Sequence, residues 1–270
     1  MMAEEQGAQQ LCKRTSVIRL SGCGIVSSML EILYEDDAFI AINKPAKLLV
    51  HRSEIDRHET RFAIQLLRDQ IGRRVIPVHR LDKGTSGVLL FAFEPETVSL
   101  MSDVFAKGLA QKDYLAVVRG WGPSHLLLDH PIAPPIDPYI KNQSTERLPA
   151  QTEFATHATI ELPIAVDRYP QSRYSLVTAR PITGRRHQIR KHLKHINHPI
   201  IGDSTYGKGV HNRMIAEHFG VERMLLHAYR LCFEHPIMKT RITIEAGLDE
   251  AWLSLLKQWG WEDVWETIRK

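Results

Sequence analysis

Cysteine is nearly missing from this chain. Three occur in 270 residues, Cys12, Cys23 and Cys232, widely spaced and without a Cys-x-x-Cys pair. That pattern excludes a disulfide framework and a zinc ribbon, and it fits a reducing compartment such as the cytoplasm. Long apolar runs are missing too: none approaches the ~20 residues that span a bilayer, so no membrane partner is expected. Residues 1–28 hold no continuous apolar stretch of the kind an export leader needs, because Arg19 and several Ser and Gly residues interrupt it. Low-complexity tracts, heptad runs and internal repeats are also absent. What remains is 43% hydrophobic, ample for a packed core, which makes a soluble globular enzyme the natural class.

Charge is modest in total and uneven in placement. The formal net charge is only +4, yet Arg185, Arg186, Arg190, Lys191 and Lys194 fall within ten residues, with His187 and His192 among them and His195 just after. A basic run on its own reads as a solvated helix face. A concentrated one beside other RNA-type motifs suits a polyphosphate partner, since neutralising phosphates releases condensed counterions.

The order of segments predicts a mixed α+β chain. Glu31–Leu33, Phe39–Asn43, Val75–Val78, Val88–Phe93 and Tyr114–Arg119 read as strands, as do stretches at about 155–161, 173–179, 224–233 and 241–245. Ala63, Leu67 and Ile71 repeat at helical spacing. Pro95 opens a second helix whose apolar face runs through Val98, Met101, Val104, Phe105 and Leu109. A last helix over about 249–258 buries Trp252, Leu253, Leu255 and Leu256. Residues 121–150 contain six prolines and little periodicity, which predicts a long surface excursion between two halves of a large, mostly antiparallel sheet.

The most specific string is HRLDKGTSGVLLFA at 79–92. Asp82-Lys83-Gly84 is turn chemistry, and an Asp-x-Gly turn alone is usually structural. The full string, Arg80-Leu81-Asp82 followed by Thr85-Ser86-Gly87, is rarer and is similar to the active-site motif of the RluA-type pseudouridine synthases. Further matches follow in the order that family requires: Asn43-Lys44-Pro45, Lys112-Asp113-Tyr114, TGRRHQIRKHL at 183–193, HPIIGDSTY at 198–206 and Leu226-His227-Ala228. Six segments in one order make coincidence a poor explanation. HRSEIDR at 51–57, VDRYPQSRY at 166–174, AEHFGVERMLLHA at 216–228 and AGLDEAW at 246–252 resemble the members that act on uridine 65 of tRNA.

The resemblance implies one catalytic domain over 29–270, an α+β fold with a central RNA-binding cleft between two sheet halves, and a reaction that needs no cofactor. Residues 1–28 have no match and are expected to be a flexible tail or an extension upstream of a start at Met29. They are too few for the S4-type RNA-binding domain that many relatives carry in front.

Asp82 is implied as the catalytic carboxylate, attacking the ribose carbon or removing a proton from its neighbour to give a glycal; both routes stay open. Arg190 resembles the arginine that pairs with it, the alternative being a phosphate contact. Tyr114 resembles the tyrosine that packs on the target uracil and whose hydroxyl is available for the late proton loss from C5, the alternative being a core tyrosine. Arg80 resembles the residue that fills the space left by the extruded base, the alternative being a plain backbone contact. Leu226 matches the apolar position closing the pocket and is also readable as core. Thr85, Ser86 and Gly87 shape the loop, and His79 and Asn43-Lys44-Pro45 are structural or near the substrate.

Rival readings are weaker. His187, His192, His195 and His198 form a histidine-rich stretch, but no His-Glu-x-x-His motif appears and no Cys joins them, so no metal is expected. An RNA-binding protein without catalysis is disfavoured because the reactive positions are all filled. Within the family, ribosomal RNA is the competing substrate; the missing front domain favours compact tRNA. A monomer without an obligate protein partner is expected.

Overall fold

The computed structural model describes residues 29–51, 58–134 and 144–270. The expectations for 1–28, for Cys12 and Cys23 and for residues 52–57 of the HRSEIDR segment lie outside these residues. In chain order the elements are β1 (Glu31–Glu35), β2 (Phe39–Lys44), α1 (Ala63–Ile71), β3 (Ile76–Pro77), β4 (Ser86–Ala92), α2 (Pro95–Ala106), β5 (Gln111–Arg119), β6 (His125–Asp129), β7 (Gln151–Leu162) and β8 (Ser172–Pro181). They are followed by α3 (Gln188–His195), α4 (Gly209–Phe219), β9 (Leu226–Glu234), β10 (Arg241–Glu245), α5 (Glu250–Trp259) and α6 (Glu262–Ile268).

The ten strands form one sheet in the order β1-β2-β4-β9-β5-β8-β7-β6, with β3 also pairing β4 and β10 also pairing β9. All these pairings are antiparallel except β4 with β9, a parallel seam made by Ser86 against His227 and Gly87 against Ala228. The expected α+β fold with a large, mostly antiparallel sheet is therefore present, and the seam is where its two halves join.

Both faces of β4 are covered, which is why its sequence runs apolar without alternation. Leu89 and Phe91 pack with Ala63 and Leu67 of α1, while Val88, Leu90 and Ala92 pack with Met101 of α2. In the other half, Ala116 and Val118 of β5 meet Ile189 and Leu193 of α3, and Leu115 and Val117 face α4, α5 and α6. Helix α5 starts where the Asp249 side chain accepts the Trp252 amide at 3.1 Å and stops at Gly260, whose φ of 68° suits a left-handed cap.

Four expectations need correction. The proline-rich excursion contains β6, whose ladder runs along the first residues of β7 from His125↔Ala155 to Asp129↔Gln151. An edge strand needs partners on one side only, so prolines flanking it do no harm; residues 135–143 lie outside the described set. Helix α2 ends at Ala106, leaving Leu109 beyond it and 64% exposed. Leu253 points outward, 46% exposed, because it lies off the stripe made by Trp252, Leu255, Leu256 and Trp259. Finally, α5 is not last: α6 follows, burying Trp265.

Candidate active site

The turn from β3 into β4 and the start of α3 face each other across a cleft of about 830 Å³. Its lining includes Arg80, Leu81, Asp82, Tyr114, His187, Arg190 and Leu226, so the five residues singled out from sequence converge on one space.

Asp82 opens the turn, which closes through the Thr85 amide donating to the Asp82 carbonyl at 3.0 Å. Beneath it lies Lys44, wholly buried, its ammonium donating to the carbonyls of Leu48 (2.8 Å), Pro45 (2.9 Å) and Lys83 (3.3 Å). Burial and then the charge of Arg223 pull this lysine down to about 7, against the opposing pull of Asp82. His79, expected to be structural or near the substrate, is a scaffold: its Nε2 accepts the Leu90 amide at 3.1 Å, and burial keeps its ring neutral with a pKa of about 3.

Arg190 uses its whole fork. Nη1 donates to Asp82 Oδ2 at 2.8 Å, while Nε and Nη2 grip both oxygens of Asp203 at 2.7 and 2.9 Å. The guanidinium is 9% exposed and the Asp203 side chain not at all. Asp203 Oδ1 also accepts the amides of Thr205 and Tyr206, each at 2.9 Å. Burial works against both charges, yet the hydrogen bonds and attraction between them win, so Arg190 is pushed up and Asp203 is held below the usual carboxylate value. The pairing of Arg190 with Asp82 is thus present, and each nitrogen of the fork donates to one of the two carboxylates.

Tyr114, on β5, shows part of its ring to the cleft, and burial, then the charge of Asp82, pushes its phenol well above the usual value. Leu226 is 3% exposed, packing in the core under α3 while lining the cleft. Arg80 is exposed at the rim, with no hydrogen-bond or carboxylate partner among the described residues.

Sequence reasoning missed three contributors. Asp203 was inside a quoted segment, but nothing local marks it as the second partner of Arg190. Tyr206 lies under the Arg190 guanidinium, 5.0 Å from ring centre, with Lys191 and Lys194 at 5.9 and 5.7 Å. His187 caps α3 with a left-handed φ of 59°, a costly conformation for a non-glycine. Its Nδ1 meets Tyr206 Oη at 3.0 Å, and its Nε2 stands 3.7 Å from Asp82 Oδ1. Burial, aided by Arg190, Arg186 and Lys191 against the pull of Asp82, lowers this histidine to about 4, so it is neutral at pH 7.

The other histidines of the stretch engage separate partners. His192 bonds Thr152 and the His130 carbonyl, each at 2.9 Å; His195 stacks on His130 at 3.6 Å; and His198 bonds the Arg119 carbonyl at 2.9 Å.

Asp203 gives a pH prediction with a definite sign. Its folded value lies below 3.8, so its contribution to stability is complete above that pH and disappears as acid takes the solution down through the lowered value. Asp203→Asn leaves a buried guanidinium half-paired and costs about 3–5 kcal/mol at neutral pH. Thermal melts of both proteins across pH 2–7 are expected to converge towards the acid end.

The cleft thus brings together a carboxylate clasped by one arginine, a flat aromatic ring and the start of a basic helix. The model of the RNA pseudouridylate synthase family matches residues 38–195, and the chain belongs to that family; its activity is that of an isomerase. It is 47% identical over 238 residues to the tRNA pseudouridine synthase C of Vibrio cholerae, covering 87% of this chain and 98% of that one. To the tRNA pseudouridine synthase C of Haemophilus influenzae it is 48% identical over 239 residues, covering 87% and 100%. Among solved structures it resembles human RNA Pseudouridylate Synthase Domain Containing 1 in fold, with a TM-score of 0.63 and 24% identity, covering 84% of this chain and 86% of that one.

Proposed function

We propose that this enzyme converts uridine 65 of tRNA to pseudouridine, with Asp82 as its catalytic carboxylate. The observation that carries the catalytic part is the 2.8 Å pairing of Asp82 with a buried arginine that Asp203 holds through two further hydrogen bonds. The tRNA substrate is supported by near full-length similarity to enzymes named for it.

The reaction breaks the bond from uracil N1 to ribose C1′, turns the base, and joins C5 to the same carbon; a proton leaves C5 and N1 regains one. Asp82 serves either as nucleophile at C1′ or as base at C2′, and in both cases Arg190 keeps the carboxylate aimed into the cleft. Tyr114 supplies the surface on which the uracil rests. Its phenol, held protonated by burial, is poorly suited to take the C5 proton in the unliganded site. Extruding the uridine costs roughly a few kcal/mol of stacking. Arg80, exposed at the rim, offers a planar group to fill the gap.

Arg80→Ala is expected to raise KM for tRNA about tenfold or more, since a stacking group of this kind contributes roughly 1–3 kcal/mol. The reading as a whole is tested by incubating wild type and Asp82→Ala with unmodified tRNA and ribosomal RNA transcripts, then mapping pseudouridine by carbodiimide labelling and primer extension. A wild-type-dependent stop at tRNA position 65 alone supports it. A signal in ribosomal RNA alone overturns the substrate, and an active Asp82→Ala overturns the residue.

A further inference from the structure

Behind the Asp82 turn lies a second buried polar chain that the reaction does not use directly. Arg223, 7% exposed, donates from Nη2 to Ser86 Oγ at 2.7 Å and to the Leu226 carbonyl at 3.3 Å, and from Nε to the Met224 carbonyl at 3.0 Å. Its Nη1 contacts Asp249, the residue that caps α5. Ser86 Oγ lies 2.7 Å from His227 Nδ1, and His227 Nε2 lies 3.2 Å from the Ala246 carbonyl.

The direction of every bond in this chain follows from its ends. Arginine only donates and a carbonyl only accepts. Ser86 therefore accepts from Arg223 and passes its own proton to His227 Nδ1, leaving Nε2–H to donate to Ala246. That is the neutral tautomer, which burial enforces by lowering the histidine to about 4. No link can be reversed, so the chain has one arrangement.

Its placement gives it a purpose. Ser86 ends the turn that begins with Asp82, and Leu226 is the apolar wall across the cleft; one guanidinium bonds both. The same two residues flank the parallel seam, where Ser86 stands opposite His227. We propose that Arg223, acting through Ser86 with His227 as the fixed acceptor, is a positioning residue that sets the distance between the Asp82 carboxylate and the pocket wall. This rests on Asp82 being the catalytic carboxylate. The side chains of Ser86, Arg223, His227 and Asp249 are not part of the cleft lining, so the chain is expected to govern the chemical step and leave tRNA binding alone. Misplacing a reacting group by about 1 Å costs on the order of a hundredfold in rate.

The test is steady-state kinetics on tRNA with Ser86→Ala, Arg223→Lys and Asp82→Ala beside wild type, at a temperature where circular dichroism shows each to be folded. Arg223→Lys keeps the charge but cannot reach Ser86, Asp249 and Leu226 together. Ser86→Ala removes one oxygen and leaves the other bonds of Arg223 in place, so it answers the question even if the arginine variant does not fold. For Ser86→Ala we expect kcat lowered about ten- to a hundredfold, with KM and the tRNA Kd within about threefold of wild type. A wild-type kcat in Ser86→Ala, or a loss confined to KM, overturns the positioning role while an inactive Asp82→Ala still upholds the catalytic residue. An active Asp82→Ala removes the catalytic reading and this inference with it.

Discussion

Asp82→Ala protein, saturated with tRNA, is expected to form pseudouridine about a hundred- to ten-thousandfold more slowly than wild type while binding tRNA as tightly or slightly more tightly. A positioned carboxylate acting as base or nucleophile contributes on the order of 10²–10⁴ in rate, and among the described residues no second carboxylate lines the cleft to replace it. The charge balance explains why the fold survives. Arg190 is shared between Asp82 and Asp203, so removing Asp82 leaves a one-to-one buried pair. It also takes a negative charge out of a cleft bordered by Arg80, Arg185 and Arg186, which can only ease the approach of phosphates. Single-turnover rates with a filter-binding isotherm on the same preparation separate the two effects. Equal losses of rate and affinity would contradict this account.

Gly87→Ala is expected to destabilise the fold severely, by about 4 kcal/mol or more. Gly87 has a φ of 112°, and a Cβ built there would lie 2.1 Å from the Ala228 carbonyl oxygen. That oxygen belongs to the backbone of the neighbouring strand, so no side chain can turn aside to make room. Relief requires opening the seam between β4 and β9, which joins the two sheet halves. A fall in Tm of roughly 10 °C is expected from the usual scaling for a domain of this size. A melt within 2 °C of wild type would show that the seam yields more readily than its contacts imply.

Much of this was legible in the sequence because the relevant signals are local. The apolar run of Val88–Phe93 announced a strand, and Asp-Lys-Gly before it announced a turn. Asp82, Arg190, Tyr114, Arg80 and Leu226 came from motif order and do share one cleft. The missed features depend on tertiary contact. Asp203 is a charge made tolerable only by partners brought in from elsewhere, and an exposed aspartate and a buried one look alike in a string of letters. His187 adopts a backbone conformation that its side chain does not advertise. Leu109 fitted a helical period but lay past the point where α2 stops, and periodicity says nothing about where a helix ends. β6 was hidden because its flanking prolines read as loop, although its short edge ladder needs nothing from them.

The partners Asp82 and Arg190 are separated by 108 residues of chain. At a synthesis rate of about 5–20 residues per second, roughly five to twenty seconds pass on the ribosome between the appearance of the carboxylate and that of its arginine. With Asp82 in the catalytic role proposed above, the nascent chain carries its carboxylate through that interval without the means to aim it. A product truncated before Arg190 is then expected to be inert however well its first strands pair.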